Sequence, residues 1–337
     1  GELLTNIDAY AAYTSDRSTL ATIADKISGI ATYSEDQGFN YLGGNESYHS
    51  GSFFYGIDVE ASDDGKVMFV SSVPYYNNAN QSACGVQIYE RTNSNFNYVG
   101  FVTSLSHHTL GAGQTIGDLG SFFGPTIASN ADGSIFAVGS PNSVINTGSQ
   151  YEFGVYSQYN GWDGTTHGYV NIFQKTGSNI EPLGILTAPP ADIDNSYASM
   201  YGHAVAFSAD GTKLYVSAIG ITTNTYGLLG NGTSQSGLVY AYNKVGTSYQ
   251  QVGVITSHRA NDFALPASSF GWDIACSDDG DTIYISGPTE NIDGNYNGEG
   301  IVEVYSRTGN TFSHVGILTC GHDSTTDLIW QAAEFGI

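Results

Sequence analysis

Apolar positions in this chain fall into short runs set off by glycine-containing turns, the layout expected of strands. The clearest stretch is 270–319. An alternating run over 272–276 leads into a turn at Asp279-Gly280, where glycine supplies positive φ at little steric cost. The β-branched and aromatic run 282–286 predicts a second strand, and 301–305, alternating apolar and polar, a third. A turn over 307–310 then leads into a fourth at 312–318. Elsewhere Val67-Met68-Phe69-Val70 and Ile135-Phe136-Ala137-Val138 are apolar at successive positions, so both faces of those strands are expected to be covered.

This four-strand unit recurs. Tyr55-Gly56, Phe123-Gly124, Tyr201-Gly202 and Phe270-Gly271 each stand nine residues, glycine to glycine, before Gly65, Gly133, Gly211 and Gly280. Tyr89, Phe173, Tyr242 and Tyr305 each stand eleven residues before Gly100, Gly184, Gly253 and Gly316. Phe96, Ile180, Tyr249 and Phe312 stand four before the same glycines. Three offsets held through four copies define a repeat protein. The copies span 55–104, 123–188, 200–257 and 270–320, and a degenerate one over 7–43 carries Ser15-Asp16-Arg17 in place of the Asp-Gly turn. Glu334-Phe335-Gly336-Ile337 reads as the opening of a sixth, so the native polypeptide is expected to continue past Ile337, the alternative being a natural terminus that lays one short strand on the ring; the start at Gly1 likewise suggests an upstream segment removed or left out. The whole is expected to form a single domain over 1–337.

Composition narrows the partners. Asp+Glu 32 against Lys+Arg 9 gives a net charge of −23 and a pI near 4.2, a surface that repels nucleic-acid phosphate and anionic lipid. No apolar run reaches the length of a membrane span. Three cysteines are too few for a disulfide framework: Cys276 reads as a small core residue, and pairing of Cys84 with Cys320 stays open. Loops of very different length separate the second and third strands of the copies, at 74–84, 141–167, 220–236 and 288–300. Variable loops on a constant frame suit a binding surface or mere tolerance of insertion.

The pattern Phe270-Gly271-x-x-Ile274-Ala275-x-Ser277-x-Asp279-Gly280, then Gly287-Pro288, then Gly300 to Tyr305, resembles the FG-GAP repeats of β-propellers, in the subtype of secreted and surface proteins. Gly139-Ser140-Pro141 keeps the second signature, whereas Ser72-Val73-Pro74 and Ala218-Ile219-Gly220 depart from it. The resemblance implies an all-β fold: a β-propeller of four-stranded antiparallel blades, five repeats visible and a sixth beginning. It also implies an extracellular place, at a cell or virion surface. Blades sandwiched between neighbours would account for the doubly apolar strands.

Motifs of chemistry are sparse. Asp293-Gly294-Asn295-Tyr296-Asn297-Gly298 matches the first half of a calcium loop, making Asp293, Asn295 and Asn297 the candidate metal ligands and calcium the one candidate cofactor. The ninth and twelfth positions, Ile301 and Val304, supply no side-chain oxygen. His107-His108 lacks metal spacing, and no nucleophile elbow, phosphate loop or carboxylate pair stands out. Sequons at Asn45, Asn80 and Asn231 are candidate glycosylation sites. Tyr151, Tyr156, Tyr159 and Trp162 in the longest loop suit protein contact or sugar stacking. The sequence therefore leads to the expectation of a non-enzymatic structural or assembly protein, a propeller unit of a filament, appendage or virion. Its partners would be other subunits or a surface glycan. The alternative is a receptor- or glycan-binding adhesin.

Overall fold

A computed structural model describes residues 27–28, 53–74, 85–102, 126–141, 168–189, 199–220, 237–258, 270–288 and 300–319. Every regular element among them is a strand. Strands β2 (Phe53–Ala61), β3 (Val67–Pro74), β4 (Gly85–Thr92) and β5 (Asn95–Val102) form blade I, an antiparallel meander. Blade II comprises β6 (Thr126–Ser129), β7 (Ile135–Ser140), β8 (Tyr169–Thr176) and β9 (Asn179–Leu186). Blade III comprises β10 (Tyr201–Phe207), β11 (Lys213–Ala218), β12 (Leu238–Val245) and β13 (Ser248–Ile255). Blade IV comprises β14 (Ile274–Cys276), β15 (Thr282–Gly287), β16 (Ile301–Thr308) and β17 (Thr311–Leu318). The all-β propeller architecture read from the sequence is thus present. The last turn is narrower than expected, because β16 runs on to Thr308 and leaves Gly309-Asn310 to reverse the chain. A short β1 (Ile27–Ser28) adds to the outer edge of β5 in parallel, Ile27 opposite Phe96.

The fixed glycine offsets have a structural cause. In every blade the third and fourth strands shift register at one place: Ile88 faces Gly100 but Tyr89 faces Tyr98, and the same slip recurs at Phe173, Tyr242 and Tyr305. One residue before each glycine is left over, a β-bulge that bends the outer edge of the blade. In blade II the bulge lets Pro182 sit in a strand without breaking the ladder.

Blades II and III bury their two faces against different neighbours. Phe69, Val86 and Ile88 of blade I pack with Ile127, Phe136 and Val138 of blade II. Ala137, Val170 and Ile172 of blade II pack with Val205, Val216 and Tyr240 of blade III. Tyr215, Val239 and Ala241 of blade III then meet Ile274, Ile283 and Ile285 of blade IV. Burying a branched or aromatic side chain fully contributes about 1.5–3 kcal/mol, so these three apolar layers dominate the stability. Scarce cations reinforce the seams. Lys175 of blade II pairs with Glu90 of blade I, and Lys213 of blade III reaches Asp281 of blade IV at 2.6 Å. Arg307 of blade IV donates to Tyr215 Oη at 3.1 Å and to Asn243 Oδ1 at 2.5 Å.

The two ends of the blades differ in kind. At one end lie the tight turns. In each, the first residue's side chain closes the loop: Ser62, Ser208 and Ser277 donate to Asp64, Asp210 and Asp279, while Asn130 accepts from Ile135 N–H. Successive turns are then stitched blade to blade. The Asp63 amide donates to Ala131 carbonyl at 2.8 Å, Ala131 to Ala209 at 3.0 Å, and Ala209 to Asp278 at 2.8 Å. At the opposite end the chain leaves one strand and re-enters the next through the long, variable segments and the inter-blade connections.

Candidate functional site at the loop end of the inner strands

In blades I, III and IV the aromatic-Gly signature lies at or just before the loop end of the first strand. Gly56, Gly202 and Gly271 adopt φ of +76°, +86° and +90°, a region that side-chain-bearing residues rarely enter. A Cβ on Gly271 would stand 2.9 Å from Ser217 Cβ of blade III, so the glycine also permits close seating of neighbouring blades. Ladder pairing is interrupted here, between Tyr55 and Val59 and between Tyr201 and Val205. A serine on the second strand takes over: Ser71, Ser217 and Ser286 Oγ accept the amides of Asp58, Ala204 and Asp273 at 2.9, 2.8 and 2.9 Å. Bulges of this kind re-aim the side chains that follow.

Three chemically active side chains result. Asp58 is tied down: Oδ1 accepts from Val59 N–H at 2.9 Å and Oδ2 from Ile127 N–H of blade II at 2.6 Å. Burial pushes its carboxyl above the ordinary range against those two amides, and the negative charge of Asp273 pushes the same way. Asp273 is exposed and less committed. Its Oδ1 accepts from Ile274 N–H at 2.8 Å, and no donor among the described residues reaches Oδ2. His203 Nδ1 lies 3.0 Å from the Trp272 carbonyl. A carbonyl only accepts, so Nδ1 carries the proton and Nε2 the lone pair. Burial lowers the pKa of His203, opposed by the Trp272 carbonyl and by the charge on Asp273, so the neutral form prevails at pH 7. The Trp272 ring lies 4.8 Å from the imidazole, and Thr126 Oγ1 braces the His203 carbonyl at 2.5 Å. A free carboxylate oxygen, a neutral imidazole nitrogen and an indole ring therefore gather where the loops meet the inner strands.

A second polar cluster is structural. Glu303, fully buried on β16, accepts from Ser257 Oγ at 2.5 Å, His258 N–H at 2.9 Å and Tyr305 Oη at 2.6 Å. His314 Nε2 lies 3.7 Å from it, and the His258 and His314 rings stack at 4.2 Å. This clasp fastens residues 256–258, the crossing from blade III, onto blade IV. Gln87 and Asn171 occupy the matching place in blades I and II and are also buried.

The residues singled out from sequence fall on other parts of the chain. Asp293, Asn295, Asn297, Asn45, Asn80, Asn231, Tyr151, Tyr156, Tyr159 and Trp162 all lie outside the described residues, as do His107, His108, Cys84 and Cys320. Among the described residues no group of three His, Cys, Asp or Glu side chains could hold a metal. Cys276 is a free thiol that donates to the Phe207 carbonyl at 3.1 Å, its pKa pushed by burial to about 12. The roles of Asp58, His203 and the Trp272-Asp273 pair went unremarked in the sequence because they come from three different copies and match no motif. The signal was the pair of positions after each aromatic-Gly, which reads Ile-Asp, Pro-Thr, His-Ala and Trp-Asp on an otherwise constant frame.

No protein-family model matches the chain, and no curated protein matches it significantly. Solved structures do show a likeness. A protein from Lactobacillus plantarum aligns over 77% of this chain and 56% of its own, at 12% identity and TM-score 0.40. The chain thus spans little more than half the length of that protein. A 6-phosphogluconolactonase-type protein from Bacteroides fragilis aligns over 77% and 83%, at 10% identity and TM-score 0.33. The periplasmic gluconolactonase of Pseudomonas aeruginosa aligns over 77% and 69%, at 13% identity and TM-score 0.35. The expectation of a non-enzymatic assembly unit, or alternatively an adhesin, is corrected: a 6-phosphogluconolactonase-type protein and a gluconolactonase stand among the similar structures. The physical reason is that absent motifs are weak evidence in a propeller, whose sites collect single residues from distant strands.

Proposed function

We propose that the loop end of the inner strands is a catalytic site for acid–base chemistry on a neutral, hydroxyl-rich small molecule. The observation that carries this reading is the convergence of His203 and Asp273, one with a free Nε2 and the other with a free carboxylate oxygen, beside the Trp272 ring. Trp272 supplies an apolar face for a sugar-like ring, and Asp273 Oδ2 accepts from its hydroxyls. The net charge of −23 disfavours anionic substrates. Hydrolysis of a sugar lactone uses all three groups. His203 Nε2 takes a proton from water, the hydroxide adds to the carbonyl carbon, the ring C–O bond breaks, and the departing alkoxide takes the proton back from the imidazolium. Kinship with FG-GAP repeats belongs to the same proposal, supported by the positive φ of Gly271 and by Gly287-Pro288 closing β15.

The test is a pH-stat assay against a panel of neutral aldonolactones. His203→Gln should lower kcat/KM by about 10²–10⁴-fold, the usual worth of a positioned general base. Asp273→Asn should act mainly on KM. Because burial holds His203 below 6.5, wild-type activity should climb with pH through a midpoint under that value and then level off. Wild-type turnover no faster than buffer across the panel, or a His203→Gln rate equal to wild type, overturns the proposal.

A further inference from the structure

Blade IV differs from the others on one face. Phe69, Val86 and Ile88, then Ala137, Val170 and Ile172, then Tyr215, Val239 and Ala241 hold matching positions in blades I to III, and each set is buried beneath the next blade. The same positions in blade IV are Tyr284, Val302 and Val304. Tyr284 is 38% exposed where its counterparts are at 0%, and both valines are only partly covered. Ala275 is exposed where Ala128 and Ala206 are buried. The ladder of turns stops at the same face, since the Asp278 amide has no acceptor among the described residues. An apolar face and an unanswered turn amide, both built to the repeat's own pattern, specify an occupant of the same kind.

We infer that the occupant is the degenerate copy, residues 7–43 of this chain, which closes the ring between blade IV and blade I. Two further observations favour it over a second molecule. Ile27–Ser28 within that copy already pair with β5, which places part of the copy beside blade I. Asp58 of blade I also feels the negative charge of Asp273 of blade IV, so the inner strands of the first and last described blades lie within electrostatic reach of each other. By the repeat alignment, Asp16 matches Asp63, Ala131, Ala209 and Asp278.

Photocrosslinking on the full chain tests this directly. With Tyr284→p-benzoylphenylalanine, and Val302→p-benzoylphenylalanine as a second probe, irradiation should join position 284 to a peptide within 7–43 of the same molecule. In parallel, exchange of the Asp278 amide should be about a hundredfold slower than that of an exposed amide. Crosslinks between two molecules would assign the face to a second copy. Crosslinks into 320–337 would assign it to the opening of a sixth repeat. Either result, or no crosslink at both probes, overturns the inference.

Discussion

Gly237 and Gly309 share a left-handed backbone, at φ +71° and +62°, but not a neighbourhood. A Cβ on Gly309 meets nothing within 4 Å, whereas one on Gly237 would fall 2.0 Å from the Phe270 carbonyl oxygen of the next blade. Gly309→Ala should therefore lower stability by about 1 kcal/mol, the conformational cost alone. Gly237→Ala should cost about 3 kcal/mol or more, because backbone of blade IV must also move. Gly280→Val, at φ +66° and 2.9 Å from Lys213 Cδ, should fall between at roughly 1–3 kcal/mol. Denaturant melts of the three variants check the order; equal losses would show that the inter-blade approach at Gly237 has room to spare. Sequence displayed these glycines as punctuation, yet could not tell a turn in open water from a seam, because the neighbour lies about thirty residues away in the chain.

At the scale of the element, the tight turns and the inner strands answer to pH with opposite signs. Lys66 beside Asp64 holds that carboxyl down at about 2, and the hydroxyls of Ser134 and Ser277 lower Asp132 and Asp279. Their contribution to stability is full above the ordinary carboxylate value of 3.8 and is lost as pH falls toward the depressed values. Burial raises Asp58 and Glu60 instead, so theirs is full below the ordinary values and is lost as pH rises through the raised ones. Melting temperature should drop between pH 4 and about 2, and the double variant Asp64→Asn with Asp279→Asn should show a smaller drop. The clasp on β16 gives a second expectation. Glu303→Leu removes the shared acceptor of Ser257 Oγ, His258 N–H and Tyr305 Oη, leaving Tyr305 Oη with the Thr256 carbonyl and His258 N–H with Tyr305 Oη, and should cost about 2–4 kcal/mol by thermal or urea unfolding. A loss under about 0.5 kcal/mol would mean that the crossing 256–258 is held by other contacts. The strands and turns themselves were legible in advance, since apolar runs, Asp-Gly pairs and the aromatic-to-glycine offsets are local signals. The clasp was not, because it joins a linker to a strand of the following copy.

For the whole molecule, nine cations against thirty-two carboxylates leave a self-repelling surface, and three of the cations bridge seams between blades. Raising salt from about 10 mM to about 200 mM should raise the melting temperature, because screening relieves the net repulsion more than it weakens the partly buried seam pairs. A fall would show that the seam pairs outweigh the surface. The candidate site is legible only at this scale: Asp58, His203 and Asp273 come from three copies and share no local pattern, and only the stacking of the blades brings them to one end.

The stitched turns carry one more consequence, for how such a chain changes over time. The turn amides of blades I to III each donate a hydrogen bond forward to the carbonyl of the next turn, so the rim has a direction. A copy duplicated whole and in the same sense slots in with both bonds satisfied. A partial copy breaks the relay at one side and bares a hydrophobic face at the other. Such a lineage is free to lengthen or shrink only in units of a full blade, while the segments at the far end vary residue by residue without touching the relay.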